Sequence, residues 1–210
     1  MTYRFDYITL LNGTEMSLDS PSSEVMDIKT MAHSLSNLCR FIGHTKKFYS
    51  VAQHSVLVSH LVPPAFAFEG LMHDAAEAFC GDISSPIKAR LPEFRRLEKR
   101  INCQLAKRYN LPLTLSAEVL HADRVALVTE AKQLTKSKTY MHWFEDIKPV
   151  DISIIPLTPA EANVHFTRRF DQLVMEISDQ NPDFTEELEL CEQLDKEEEE
   201  YWQEQAYDWQ

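Results

Sequence analysis

Apolar positions along the chain recur mostly at spacings of three and four, the period of a helix buried along one face. Ile28, Met31, Leu35 and Leu38 follow that period and predict a helix beginning after Asp27. Ser50 predicts the next helix start as an N-cap, with Gln53 completing a capping box. Pro63-Pro64 ends that helix and opens another that runs through Leu71 to Cys80, where Gly81 breaks it. Asp82 to Lys88 reads as a connector. Further helices are predicted from about Pro92 to Tyr109 and from about Ser116 to Thr135. Lys136 to Pro156 reads as an irregular excursion carrying Trp143 and Phe144. Thr158-Pro159, a cap and a first-turn proline, opens a last helix reaching about Ile177. The first 20 residues look like a small hairpin. Tyr7 to Leu11 is rich in β-formers and Asn12-Gly13 is a preferred two-residue turn, so a small peripheral hairpin is expected there. The pattern as a whole predicts an all-α helical bundle with a β-hairpin at its N-terminal edge.

Composition narrows this. The chain has 210 residues, enough for one well-buried domain, and only four glycines, where average usage would give roughly fifteen. Few tight turns and no glycine-rich loop follow, which argues against many short strands and against a phosphate loop or dinucleotide fingerprint. The net charge of −12 is uneven: from Glu186 onward eleven acidic residues face one lysine, leaving about −2 for the rest. We therefore expect one domain over residues 1–180 and an acidic tail over 181–210, helical or disordered, whose Trp202, Tyr207 and Trp209 offer a docking surface if it folds back. A nearly neutral body lacks the basic surface that a grip on duplex nucleic acid requires. The four cysteines are scattered without a CxxC pair, which fits reduced thiols in a cytoplasmic protein. No signal-peptide pattern and no apolar run of membrane-span length is present.

Four polar residues occupy positions where a plain bundle would place apolar ones. His54 has Val51, Leu57 and Val58 as its helical neighbours, and Asp123 has Val119, Leu120, Ala126 and Leu127. His73-Asp74 lies within Leu71-Met72-His73-Asp74-Ala75-Ala76, a segment otherwise suited to burial. A carboxylate facing a core needs a cation, either an arginine such as the adjacent Arg124 or a metal. Two imidazoles and two carboxylates are a suitable mixed set for a divalent transition cation. Spacing alone leaves a metal site and ordinary hydrogen-bonded core groups equally open. The remaining histidines, His33, His44, His60, His121, His142 and His165, have no spacing that demands a metal.

The order His54, His73-Asp74, Asp123 resembles the H…HD…D signature of HD-domain phosphohydrolases. From Ala32 to Leu91 the chain is similar to the small HD hydrolases acting on deoxynucleotides, the bacterial 5′-deoxynucleotidases and phage-type deoxynucleoside triphosphohydrolases. The matching segments are Ser36-Asn37-Leu38-Cys39-Arg40-Phe41, Phe48 to Ser55, His73-Asp74-Ala75-Ala76-Glu77 and Gly81-Asp82-Ile83-Ser84-Ser85-Pro86-Ile87-Lys88. With Asp123 the resemblance covers roughly half the chain.

That resemblance implies an HD-type helical bundle in which His54, His73, Asp74 and Asp123 hold one divalent cation: cobalt, manganese, zinc or iron. Substrate phosphates could recruit a second ion. Glu77 would orient or deprotonate the attacking water. Asp82 would serve as a second catalytic carboxylate, although a residue following the Gly81 break can also act as a cap. Arg40, Phe41, His44 and Lys88 are the implied substrate contacts, with Phe41 standing where relatives often carry tryptophan. The implied activity is hydrolysis of deoxynucleotide phosphates. Either tripolyphosphate leaves a deoxynucleoside triphosphate or phosphate leaves a 5′-monophosphate, and the segments around Arg40 and His54 lean towards the triphosphate. The alternative is a catalytically idle fold that senses a nucleotide or holds a partner, against which stands the retention of both Glu77 and Asp82. Relatives assemble into dimers or larger oligomers, so a homo-oligomer is expected.

Overall fold

A computed structural model describes residues 6–181 except Glu145, and the acidic segment from Glu186 onward, with its docking aromatics, lies outside the described residues. The chain forms a mostly helical bundle with a small two-stranded antiparallel sheet at its start. Strands β1 (Tyr7–Thr9) and β2 (Glu15–Ser17) pair with Ile8 opposite Met16. Their connection is longer than the expected two-residue turn. Leu10 and Thr14 close it through Leu10 N–H to the Thr14 carbonyl (2.8 Å), with Gly13 left-handed at φ 86°. The Asn12 side chain accepts from Thr14 N–H at 3.0 Å and so occupies the loop rather than a tight turn.

Helices α1 (Ile28–Asn37), α2 (Val51–Leu61), α3 (Ala67–Met72), α4 (Glu77–Cys80), α5 (Ser85–Lys88), α6 (Pro92–Arg108), α7 (Ala117–Leu134) and α8 (Pro159–Gln180) follow. Their starts lie where capping chemistry puts them. Asp27 accepts from Thr30 N–H at 2.9 Å, Ser50 from Gln53 N–H at 3.1 Å and Ser116 from Val119 N–H at 3.3 Å. Thr158 and Glu161 complete a reciprocal box at α8. The box expected at α2 is only half made, because the Gln53 amide is used elsewhere. It donates to the Ile155 carbonyl (2.8 Å) and accepts from Leu157 N–H (2.9 Å), strapping the segment before α8 onto α2.

α2 is the central element, with α1, α3, α7 and α8 packed around it. Met31, Leu35, Val51, Leu71, Leu105 and Phe166 are fully or almost fully buried in one continuous core. The helix expected to run unbroken to Cys80 is instead two short α segments joined through His73–Ala76. There the bonds tighten to three-residue spacing, as in Ala75 N–H to the Met72 carbonyl (3.0 Å) and Glu77 N–H to the Asp74 carbonyl (3.0 Å). Such a tight stretch inside a helix often marks a working site, and it carries His73 and Asp74. No helix among the described residues is long and apolar enough to cross a membrane.

Candidate metal centre

The loop before α2 is closed at its mouth by an antiparallel bridge between Cys39 and Ser50 and by Arg40 N–H donating to the Tyr49 carbonyl (2.9 Å). One turn into α2, His54 is completely buried because α3, α7 and α8 cover that helix. Its Nδ1 lies 2.7 Å from Glu130 Oε1 on α7, which places the ring proton on Nδ1 and turns the Nε2 lone pair inward. His73 has the same arrangement with a backbone partner, its Nδ1 lying 2.8 Å from the Gly70 carbonyl. The two Nε2 atoms therefore face each other at 3.3 Å.

Carboxylates complete the cluster. Asp123 Oδ1 lies 3.1 Å from His54 Nε2 and 3.9 Å from His73 Nε2, while Asp74 Oδ2 lies 3.6 Å and 3.2 Å from the same atoms. One ligand atom each from His54, His73 and Asp123 fall within 4.8 Å of one another, a group that could hold a metal ion. Asp74 approaches both imidazoles from the side of Arg40. Asp123 was expected to face the core; instead its side chain is 37% exposed and forms the open wall of the site. Arg124, its sequence neighbour, stacks 5.5 Å from the Phe144 ring centroid.

The local field is what a cation site would produce. Burial and Arg40 work to lower the His54 pKa, but Glu130 and Asp123 prevail and push it up to about 10. Burial is likewise overcome at His73, where Asp74 raises the pKa. At Asp74 burial would raise the pKa, but His73, His54 and Arg40 hold the carboxyl well below its usual range. Asp123 is lowered in the same way, against burial, by His54 and His73. Positive charge is favoured wherever these groups converge, and the two imidazoles with two carboxylates fit a divalent transition cation.

Glu77 stands at the edge of this cluster, 6% exposed. Burial, then Asp74 and Asp82, push its carboxyl up to about 9. One oxygen is 3.8 Å from Lys88 Nζ, and the other is buried without a hydrogen-bond partner among the described residues. Asp82 is half-buried beyond the Gly81 break (φ 83°), and burial raises its carboxyl against the pull of Arg40.

The expected substrate contacts divide. Arg40 spans two carboxylates, with Nη1 3.5 Å from Asp74 and Nη2 3.2 Å from Glu130. Lys88 pairs with Glu98 and reaches Glu77. Phe41 and His44 line a separate cleft. His33, His44, His60, His121, His142 and His165 all sit exposed at the surface.

Sequence reasoning passed over Glu130. It is fully buried and accepts from three side chains, the third being the Tyr49 hydroxyl at 3.0 Å. Glu130 lies two helical turns after Asp123 on α7, with Ala126, Ala131 and Leu134 buried near it. The criterion that selects Asp123, a carboxylate among apolar helical neighbours, is met at Glu130 by Ala126, Leu127 and Leu134 and broken only by Gln133.

Gly70 links this centre to the packing beneath it. A Cβ at Gly70 would lie 3.2 Å from Val62 Cγ2 and 3.3 Å from Ser59 Cα, so α3 approaches α2 closely at the residue whose carbonyl holds His73. Gly70→Val is expected to cost about 1–3 kcal/mol of stability and to weaken metal binding by displacing that carbonyl. Thermal melts paired with metal titration check this, and a variant that melts and binds like wild type refutes it.

No protein-family model matches the chain. It is 41% identical over 169 residues to the uncharacterized protein YfdR of Escherichia coli (strain K12), a match covering 80% of this chain and 95% of that protein. It is also 32% identical over 139 residues to the uncharacterized protein RCAP_rcc00048 of Rhodobacter capsulatus, covering 60% of this chain and 71% of that protein. With nearly the whole of YfdR spanned at that identity, the chain belongs to the YfdR family.

Proposed function

We propose that the protein is a metal-dependent phosphohydrolase of the HD type that acts on deoxynucleotides. The observation that carries this reading is the convergence of His54, His73, Asp74 and Asp123 beside a buried Glu77 carboxylate with one unpartnered oxygen. When bound, a divalent cation at these four residues would polarise a phosphoryl oxygen and acidify water.

The chain's own groups account for the rest of the reaction. Glu130 and the Gly70 carbonyl hold the two imidazoles in the tautomer that presents Nε2. Burial, Asp74 and Asp82 hold the Glu77 carboxyl high, and a cation's charge at the centre would lower it; the resulting carboxylate, three residues after Asp74 on a tight turn, would accept a proton from water as its oxygen bonds to phosphorus. The phosphorus–oxygen bond to the leaving group breaks, and Asp82 or water supplies the proton taken up by the leaving oxygen. Of the cations expected to meet phosphate, Arg40 and Lys88 already face carboxylates, so neither is free to offset the charge of a long phosphate chain. That pairing favours a monophosphate over the triphosphate suggested by local resemblance.

Phosphate release from nucleoside mono-, di- and triphosphates, with manganese or cobalt and with chelator, tests the proposal. Inorganic phosphate from deoxynucleoside monophosphates, lost in Asp74→Ala and Glu77→Ala, is the expected result; tripolyphosphate would assign the triphosphate reaction instead. Nucleotide binding without turnover under any metal would overturn the hydrolase and leave the sensor.

A further inference from the structure

The loop that delivers Arg40 to Asp74 carries its next two residues, Phe41 and Ile42, into the lining of a cleft, with the Phe41 ring 5.8 Å from the Arg40 guanidinium. Phe41 (φ 55°) and Ile42 (φ 53°) are consecutive non-glycine residues in left-handed backbone, a conformation that persists only where its surroundings impose it. The surroundings do so at both ends. The Cys39–Ser50 bridge closes the loop. Lys46 ties it to the end of α7, through N–H to the Leu134 carbonyl (2.8 Å) and Nζ to the Gln133 carbonyl (2.9 Å). The result is apolar side chain turned outward beside a charged centre: Ile42 is 52% exposed and Trp143, across from it, 41%.

Between them lies a cleft of about 360 Å³ walled by Phe41, Ile42 and Trp143, with the Ser84 hydroxyl, His44 and Lys136 also in its lining and the Thr135 hydroxyl there bonded to the Ala131 carbonyl and Ser137 N–H. Two covalent links join it to the centre. Phe41 follows Arg40, whose guanidinium is 3.5 Å from Asp74, and Ser84 lies two residues after Asp82. Trp143 is carried by the excursion between α7 and α8. The return of that excursion is fixed to α7 by Val150 N–H to Thr129 Oγ1 (3.1 Å) and by Gln133, which bonds Ile152 and Ile154 (2.8 and 3.0 Å).

We propose that this cleft holds the heteroaromatic base of a nucleotide whose phosphate lies at the metal centre, with Trp143 setting the affinity for that base. The proposal rests on the phosphohydrolase reading and adds the far end of its substrate. Aromatic walls stack a flat ring, and the Ser84 hydroxyl meets the polar edge of one. A phosphate would want several cations, and Lys136 is the one lysine or arginine of this cleft, beside the imidazole of His44. Its volume is in the range of small-ligand pockets.

The test is calorimetric titration with dAMP and with deoxyribose 5-phosphate, manganese present, on full-length protein carrying Glu77→Ala so that the ligand survives. Adding Trp143→Ala is expected to weaken dAMP about tenfold or more, the usual effect of losing a base-stacking aromatic. Deoxyribose 5-phosphate should bind unchanged, and Trp143→Phe should restore most of the dAMP affinity. Equal dAMP binding with and without Trp143, or equal loss of both ligands, overturns the assignment while the hydrolase reading stands. If the parent binds neither manganese nor either ligand, both fall together.

Discussion

Glu130→Ala is expected to destabilise the protein by about 3–5 kcal/mol, the usual cost of removing one partner of a buried charged pair. In a chain of this size that is a fall of roughly 6–20 °C in melting temperature. The size of the effect follows from what the carboxylate holds. Glu130, Tyr49 and His54 are all 0% exposed, and the Arg40 side chain is 11% exposed. Removing Glu130 strands a guanidinium, a phenol and an imidazole away from water at once. Glu130→Gln separates this from the second role of the residue. The amide keeps the volume and can still accept one hydrogen bond, but it loses the charge opposite Arg40 and turns an NH₂ towards a donor. Metal affinity in Glu130→Gln is expected to fall about 10–100-fold, as when other carboxylates behind metal-bound histidines are removed. Thermal melts and metal titration read the two effects independently. A Glu130→Ala protein melting within a degree or two of wild type would refute the first, and unchanged metal affinity in Glu130→Gln the second.

The second large effect concerns Asp123. A metal held at this centre should raise the melting temperature, by about 2.7 kcal/mol of stability when present at a hundred times its dissociation constant. Asp123→Ala is expected to weaken that binding at least about a hundredfold, because it removes a ligand rather than a residue behind one. Asp123 is more exposed than the other ligand side chains, at 37% against 0%, 3% and 21% for His54, His73 and Asp74. Its loss should therefore leave the metal-free protein folded, with a melting point close to that of metal-free wild type. Differential scanning calorimetry with manganese, cobalt and zinc decides the matter. Wild-type protein that shows no metal-dependent shift would remove the metal centre altogether.

How much of this was legible beforehand depended on whether the information was local. Helix starts at Asp27, Ser50, Ser116 and Thr158 follow from one side chain and the amides just after it, so sequence alone locates them. The irregular excursion before α8 is likewise found, with one short 3-10 turn at Tyr140–His142. Gln53 was read as half of a capping box because its competitors, Ile155 and Leu157, lie a hundred residues away in sequence. The run through His73 was read as continuous helix because its residues suit one. Tightening to three-residue bonds there is a product of packing between α3 and its neighbours. At the candidate centre, His54, His73, Asp74 and Asp123 could be picked out as polar intrusions in apolar faces. The commitment of Arg40 to Asp74 and Glu130 could not be foreseen, since it required knowing which carboxylates α7 brings beneath the loop.

The proposed catalytic centre and the cleft beside it are made of different kinds of chain. The first is fixed by helices that hold the two imidazoles through the Glu130 carboxylate and the Gly70 carbonyl. The second owes one wall to an excursion whose return is secured to α7 at Val150, Ile152 and Ile154. Changes at Trp143 consequently alter the cleft without touching the bonds that hold His54 and His73. A lineage with this layout can diversify what it recognises by altering a surface stretch, while it inherits its reactive chemistry whole.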